Sequence, residues 1–221
     1  VKQLIEAGAD VNQAADNGSP PLYIAAQDGY KHIVEKLIEA GADVNQAGDT
    51  VGPPLYIAAQ NGHEEVVKQL LEAGADVDQG YKYGSSPLYM AAQLGHEHVV
   101  GILLEAGAGV NTVISNGYPA LFIAAQLGYK NIVEKLIEAG ADVNQARENR
   151  KTPLYIAAQE GKKDVVKTLI AAGADVDKPM NDGVTALYVA VQNGYKNSVE
   201  KLIEAGADVN KARDNGETPL Y

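Results

Sequence analysis

The residues able to do acid–base or metal chemistry are few and badly spaced for it. His63-Glu64-Glu65 has the opening of the helix on which zinc proteases hold their metal. A second His four residues on would complete the ligand pair, and Val67 stands there. His96 and His98 lie two residues apart, so on a helix they point to different sides. There is no Cys, which removes disulfides and thiolate metal sites. The glycines fall at helix-end spacing and form neither a Gly-x-Gly-x-x-Gly turn nor a phosphate loop. The chain is therefore not expected to be an enzyme, and no catalytic residue, metal site or cofactor is expected.

Charge narrows the partner. A net charge of −11 over 221 residues disfavours a nucleic-acid backbone. Residues 1–110 hold 5 Lys+Arg against 15 Asp+Glu, whereas residues 111–221 hold 13 against 14. The first half is strongly acidic and the second nearly balanced. No run of 18 apolar residues occurs, so no membrane insertion is expected. The lack of Cys fits a reducing compartment, and a cytoplasmic location is expected on that ground.

The elements that must position these residues are repeats. Gly-Ala-Asp stands at 8–10, 41–43, 74–76, 140–142, 173–175 and 206–208, and Gly-Ala-Gly at 107–109, each step being 33 residues. Pro-Leu-Tyr keeps the same step at 21–23, 54–56, 87–89, 153–155 and 219–221, with Ala-Leu-Phe at 120–122 and Ala-Leu-Tyr at 186–188. Cut before the turn, residues 1–221 form one array. It runs as a partial repeat 1–14, full repeats 15–47, 48–80, 81–113, 114–146, 147–179 and 180–212, and a partial repeat 213–221.

Each period predicts two short helices and a turn. In 147–179, the Thr152 hydroxyl can cap a helix whose first position, Pro153, needs no N–H partner. Leu154, Ile156, Ala157 and Ala158 give it an apolar face, and Gly161 can end it. A second helix starts near Lys163, with Val165, Val166, Leu169 and Ile170 at helical spacing and Gly173 beyond its end. Neither helix can bury its face alone, so neighbouring periods must stack. Caps are lost where Pro20, Pro53 and Pro119 replace the hydroxyl, and Ser198 replaces an Ile/Val core position. The chain opens inside a second helix and stops inside a first, which reads as a fragment of a longer array. Uncapped end helices predict end-to-end self-association.

The period of 33, with Thr-Pro-Leu-Tyr-x-Ala-Ala, Gly-(His/Tyr)-x-x-(Ile/Val)-Val and Gly-Ala-Asp-Val-Asn, resembles the ankyrin repeat over all 221 residues. The resemblance implies an all-α fold, an ankyrin-repeat solenoid of stacked helix-turn-helix units with projecting β-hairpin or turn fingers. It further implies a concave face of fingers and first helices that binds other macromolecules. The family usually has His after Pro-Leu; here Tyr23, Tyr56, Tyr89, Tyr155, Tyr188 and Tyr221 stand there, with Phe122. Recurring beside Leu and Ala in one register, they read as packing. Asn12, Asn45, Asn111, Asn144 and Asn210 are similar to asparagines that some intracellular ankyrin repeats present for hydroxylation, and they also suit bracing of the turn.

If the helices are scaffold, function falls where copies differ. Two adjacent turn tips are aromatic or aliphatic, with Tyr81 and Tyr83 in one and Val113, Ile114 and Tyr118 in the next. Behind them stand Leu94 and Leu127, where other copies carry Asp28, Asn61, Glu160 and Asn193. Apolar groups on exposed tips mark interaction sites. The expected anchor is Tyr81, Tyr83, Leu94, Ile114, Tyr118 and Leu127, flanked by basic Arg147, Arg150 and Lys151. The expected partner is a protein or peptide, apolar in its centre and acidic at one end. Mutual packing of these side chains between fingers, or drift in a duplicated array, is the competing reading, and the alternative function is a structural or elastic spacer array or the targeting arm of a larger enzyme or channel.

Overall fold

The computed structural model describes residues 1–48, 51–81, 84–113, 118–146 and 149–220. Among them are thirteen helices and no β-strand. They fall into two compact units, Val1–Ser115 and Asn116–Tyr221. The first unit holds α1 (Lys2–Glu6), α2 (Pro21–Gln27), α3 (Lys31–Glu39), α4 (Pro54–Asn61), α5 (Glu64–Glu72), α6 (Pro87–Leu94) and α7 (Glu97–Glu105). The second holds α8 (Ala120–Leu127), α9 (Lys130–Glu138), α10 (Pro153–Gln159), α11 (Lys163–Ala171), α12 (Ala186–Gln192) and α13 (Lys196–Glu204).

The local signals act as the sequence predicts. Tyr89 N–H donates to Ser86 Oγ at 3.2 Å, Tyr155 N–H to Thr152 Oγ1 at 3.1 Å and Tyr188 N–H to Thr185 Oγ1 at 3.2 Å. Where Pro20, Pro53 and Pro119 stand, no side chain caps the helix. At two of those sites the orphan donor turns to the backbone, Tyr56 N–H to Pro53 O at 3.0 Å and Phe122 N–H to Pro119 O at 3.1 Å. A lost cap costs about 0.5–2 kcal/mol.

Helices of seven to nine residues are too short to persist alone. Stacking supplies what they lack. First helices pack in the orders α2–α4–α6 and α8–α10–α12, and second helices in the orders α3–α5–α7 and α9–α11–α13. Leu22, Leu55, Leu88, Leu121, Leu154 and Leu187 are fully buried on the first helices, and Leu70, Leu103, Leu136, Leu169 and Leu202 on the second. Each such burial contributes about 1.5–3 kcal/mol. The paired alanines, such as Ala58-Ala59 and Ala157-Ala158, are fully buried and let neighbouring helix backbones approach closely.

Polar staples join successive repeats at the turns. Asp43 N–H donates to Asn12 Oδ1 at 2.8 Å, Asp76 N–H to Asn45 Oδ1 at 2.8 Å and Asp175 N–H to Asn144 Oδ1 at 2.8 Å. Asp78 and Asp177 take over the role toward Gly109 and Asp208. The asparagine amides also reach the next repeat's Gly carbonyl, as Asn45 Nδ2 does to Gly74 O at 3.4 Å. Asn12, Asn45 and Asn144 thus brace the turns, the structural role expected of that column. The histidines are scaffold too. His63 Nε2 lies 2.9 Å from Gln27 O and His96 Nε2 lies 2.9 Å from Gln60 O, while His98 Nδ1 lies 3.2 Å from Glu64.

Candidate recognition surface

The fingers are tight turns. In four of them one backbone bond closes the base and a second the tip: Ala15 N–H to Ser19 O and Gly18 N–H to Ala15 O, with the same pattern at 81–85, 180–184 and 213–217. In these four fingers the tip holds a left-handed residue. Gly18, Gly84, Gly183 and Gly216 supply it with φ of 80–86°, and Arg150 takes the same place with φ 64°. A side-chain oxygen two residues ahead of the finger's last N–H steadies the turn, as Asn17 does for Ser19 and Asn149 for Lys151.

These turns lay finger residues over the rings of the first helices. Two positions do this: four residues before the ring, in the same finger, and twenty-five after it, in the next finger. Tyr118 stacks on Phe122 with centroids 4.0 Å apart and planes at 21°. Lys151 Nζ lies 5.5 Å from the centroid of Tyr155 and also donates to Gln159 Oε1 at 3.2 Å. In the next-finger position, Tyr81 leans on Tyr56 at 6.0 Å and 33°, and Arg213 lies 5.6 Å over Tyr188. Arg213 is held there by Glu217 at 3.2 Å, which also accepts from the Tyr188 hydroxyl.

The predicted anchor residues therefore divide. Tyr81 and Tyr118 are half-buried because each gives one ring face to a first-helix aromatic. Leu94 and Leu127, the last residues of α6 and α8, stand exposed at 46% and 39%. Lys151 is half-buried and Arg150 exposed. Tyr83, Ile114 and Arg147 lie outside the described residues. Leu94 and Tyr81 belong to the first unit; Tyr118, Leu127, Arg150 and Lys151 belong to the second. At the register of Leu94, Asn61 Nδ2 donates to Gln27 O at 2.8 Å and Asn193 Nδ2 to Gln159 O at 3.0 Å. A leucine forgoes that bond and leaves apolar surface in its place.

The tyrosine column is uneven, which its uniform register conceals. Tyr89, Phe122 and Tyr155 are buried, whereas Tyr23, Tyr56 and Tyr188 are half-buried. Burial pushes the hydroxyls of Tyr23, Tyr56 and Tyr155 above the usual phenol range, with neighbouring Tyr81, Tyr23 and Asp182 adding to the shift. These rings are neutral at physiological pH. The residue four places ahead of the ring does not by itself mark the difference, since Ser85 precedes buried Tyr89 as Ser19 precedes half-buried Tyr23.

Stacked helix pairs joined by a stapled turn ladder define a helical repeat module. The chain belongs to the ankyrin repeat family, whose model, ankyrin repeats (3 copies), matches residues 1–81, 55–147 and 144–213. Two solved structures are similar to it. The ankyrin repeat domain of Bcl-3, described as a unique member of the IkappaB protein family, aligns with a TM-score of 0.85 at 26% identity, covering 93% of this chain and 94% of that one. The human ASB11 ankyrin repeat domain aligns at 0.80 with 28% identity, covering 91% and 90%. No curated protein matches the chain. Among the described residues no helix is long and apolar enough to cross a membrane. Ankyrin repeat domains are, in general, protein–protein interaction modules.

Proposed function

We propose that this chain binds a partner protein or peptide through its fingers and first helices, as part of a larger scaffold or adaptor. The observation that carries the reading is the exposure of Leu94 and Leu127 where Asn61 and Asn193 serve the fold. Solvent gains nothing from leucine at those positions, and a partner's apolar surface does. Tyr81, Tyr83, Ile114 and Tyr118 are assigned to the same binding role from their fingertip positions in the sequence. Arg147, Arg150 and Lys151 then orient an acidic stretch of the partner, acting on encounter rate and register more than on affinity. The test is a paired affinity capture with the wild-type chain and Leu94→Asn/Leu127→Asn as baits, followed by hydrogen-exchange footprinting of the captured complex. Protection at the ends of α6 and α8 and loss of the partner from the variant bait support the reading. Equal capture by both baits overturns it.

A further inference from the structure

Peroxide chemistry in this chain centres on two side chains. The chain has no Cys and no Trp, and its two methionines are Met90 and Met180. The thioether is then the group most readily oxidised. Met180 opens the base of the finger 180–184 in the second unit, its N–H donating to Val184 O at 2.9 Å. Met90 stands on α6 in the first unit, one helical turn ahead of Leu94.

Residues four apart are neighbours on one face of a helix, so Met90 and Leu94 share a face. Leu94 is exposed and Met90 half-exposed. At the register of Met90 the other first helices carry Ile24, Ile57, Ile123, Ile156 and Val189. Ile57, Ile156 and Val189 are buried and Ile24 is exposed. Met90 and Ile123 are half-exposed, on the two helices that end in Leu94 and Leu127. Five copies thus hold a branched aliphatic with no sulfur to oxidise. The copy that holds a thioether is one of the two that carry an exposed leucine.

We infer that Met90 is an oxidation site that regulates the recognition surface, its sulfoxide lowering the affinity for the protein partner. This rests on reading the leucine-bearing ends of α6 and α8 as the binding face. The oxidant is hydrogen peroxide. A sulfur lone pair attacks one peroxide oxygen, the O–O bond breaks, an S–O bond forms and water leaves after proton transfer. Sulfur gives up two electrons and the peroxide takes them. The sulfoxide is polar and loses its hydration under a partner's apolar surface, whereas the flexible thioether packs there without that cost.

The experiment treats the whole chain with hydrogen peroxide, follows each methionine by peptide mass, and uses the product as a bait. The probe is the set of proteins that the untreated wild-type bait retains from lysate. Met90 is expected to gain one oxygen while the circular dichroism stays that of the folded chain, and retention is expected to fall at least about fivefold. Met90→Ile, which installs the residue of the neighbouring copies, is expected to retain the same proteins before and after peroxide. It still carries Met180, so it separates the two thioethers. Met90→Gln, polar without peroxide, is expected to reproduce the loss. Retention unchanged by oxidation of Met90, an equal loss from the oxidised Met90→Ile bait, a Met90 that stays unoxidised, or a loss that comes only with unfolding each overturns the inference. The Leu94→Asn/Leu127→Asn bait reads the broader proposal separately. Proteins lost from that bait but kept by the oxidised wild-type chain sink the oxidation inference alone, and a wild-type bait that retains nothing removes both.

Discussion

Tyr118 lies face to face on Phe122, four residues further along the chain, with ring centroids 4.0 Å apart. One residue is the end of a finger and the other the third residue of α8, so the pair fixes how finger and helix meet. Stacked pairs contribute about 0.5–1.5 kcal/mol beyond the area they bury. Tyr118→Ser should therefore destabilise the chain by about 1–2 kcal/mol in urea unfolding. Tyr118→Lys, which copies the Lys151–Tyr155 pair, should recover part of that loss. An unchanged midpoint for Tyr118→Ser would show that the stack contributes nothing.

Ser198 is 1% exposed on α13, and its hydroxyl has no hydrogen-bond partner. Val66, Val99, Ile132 and Val165 fill the same register. A buried unpaired hydroxyl costs free energy that a methyl group does not, so Ser198→Val should stabilise by about 1–3 kcal/mol. Thermal melting reads this, and a lower melting temperature would mean that the site has no room for a second branch.

Arg150 holds the left-handed conformation that glycine holds at the same register of the four closed fingers. A side chain there strains the backbone by about 1–2 kcal/mol, offset by the greater freedom glycine has in the unfolded chain. Arg150→Gly should raise stability by about 0.5–1 kcal/mol, as denaturant unfolding would register. It should also slow encounter with an acidic partner if Arg150 steers it.

Alkaline pH should unfold the chain through its tyrosines. Burial raises the phenols of Tyr23, Tyr56 and Tyr155 above the ordinary phenol range. A raised folded-state value means that the folded chain holds the proton more tightly than the unfolded one. The stability this contributes is fully present below pH 10 and is lost as pH rises through the folded values. Tyr155→Phe should move the alkaline unfolding midpoint upward. A midpoint that stays in place would show that other groups carry the transition.

Much of the fold is legible in the sequence because its cause is periodic. The 33-residue step locates every leucine of the core, and the Ser86, Thr152 and Thr185 caps and the Pro20, Pro53 and Pro119 gaps are readable residue by residue. Ser198 stands out among valines for the same reason. The surface is less legible because its contacts cross from one repeat to the next. That Tyr81 returns to cover Tyr56 depends on a separation of twenty-five residues, which no periodic count reveals. Fingertip aromatics read as free when only their hydrophobicity is seen. Leu94 and Leu127 need no such geometry: they differ from Asn61 and Asn193 in a position whose exposure follows from the helix face.

The central claim, that exposed leucines at the ends of first helices hold a protein partner, is tested most directly by calorimetric titration of the captured partner. The account predicts that Leu94→Asn/Leu127→Asn weakens binding by at least about tenfold, as loss of buried leucine surface requires, with an unchanged melting temperature. An affinity equal to that of the wild-type chain would contradict it.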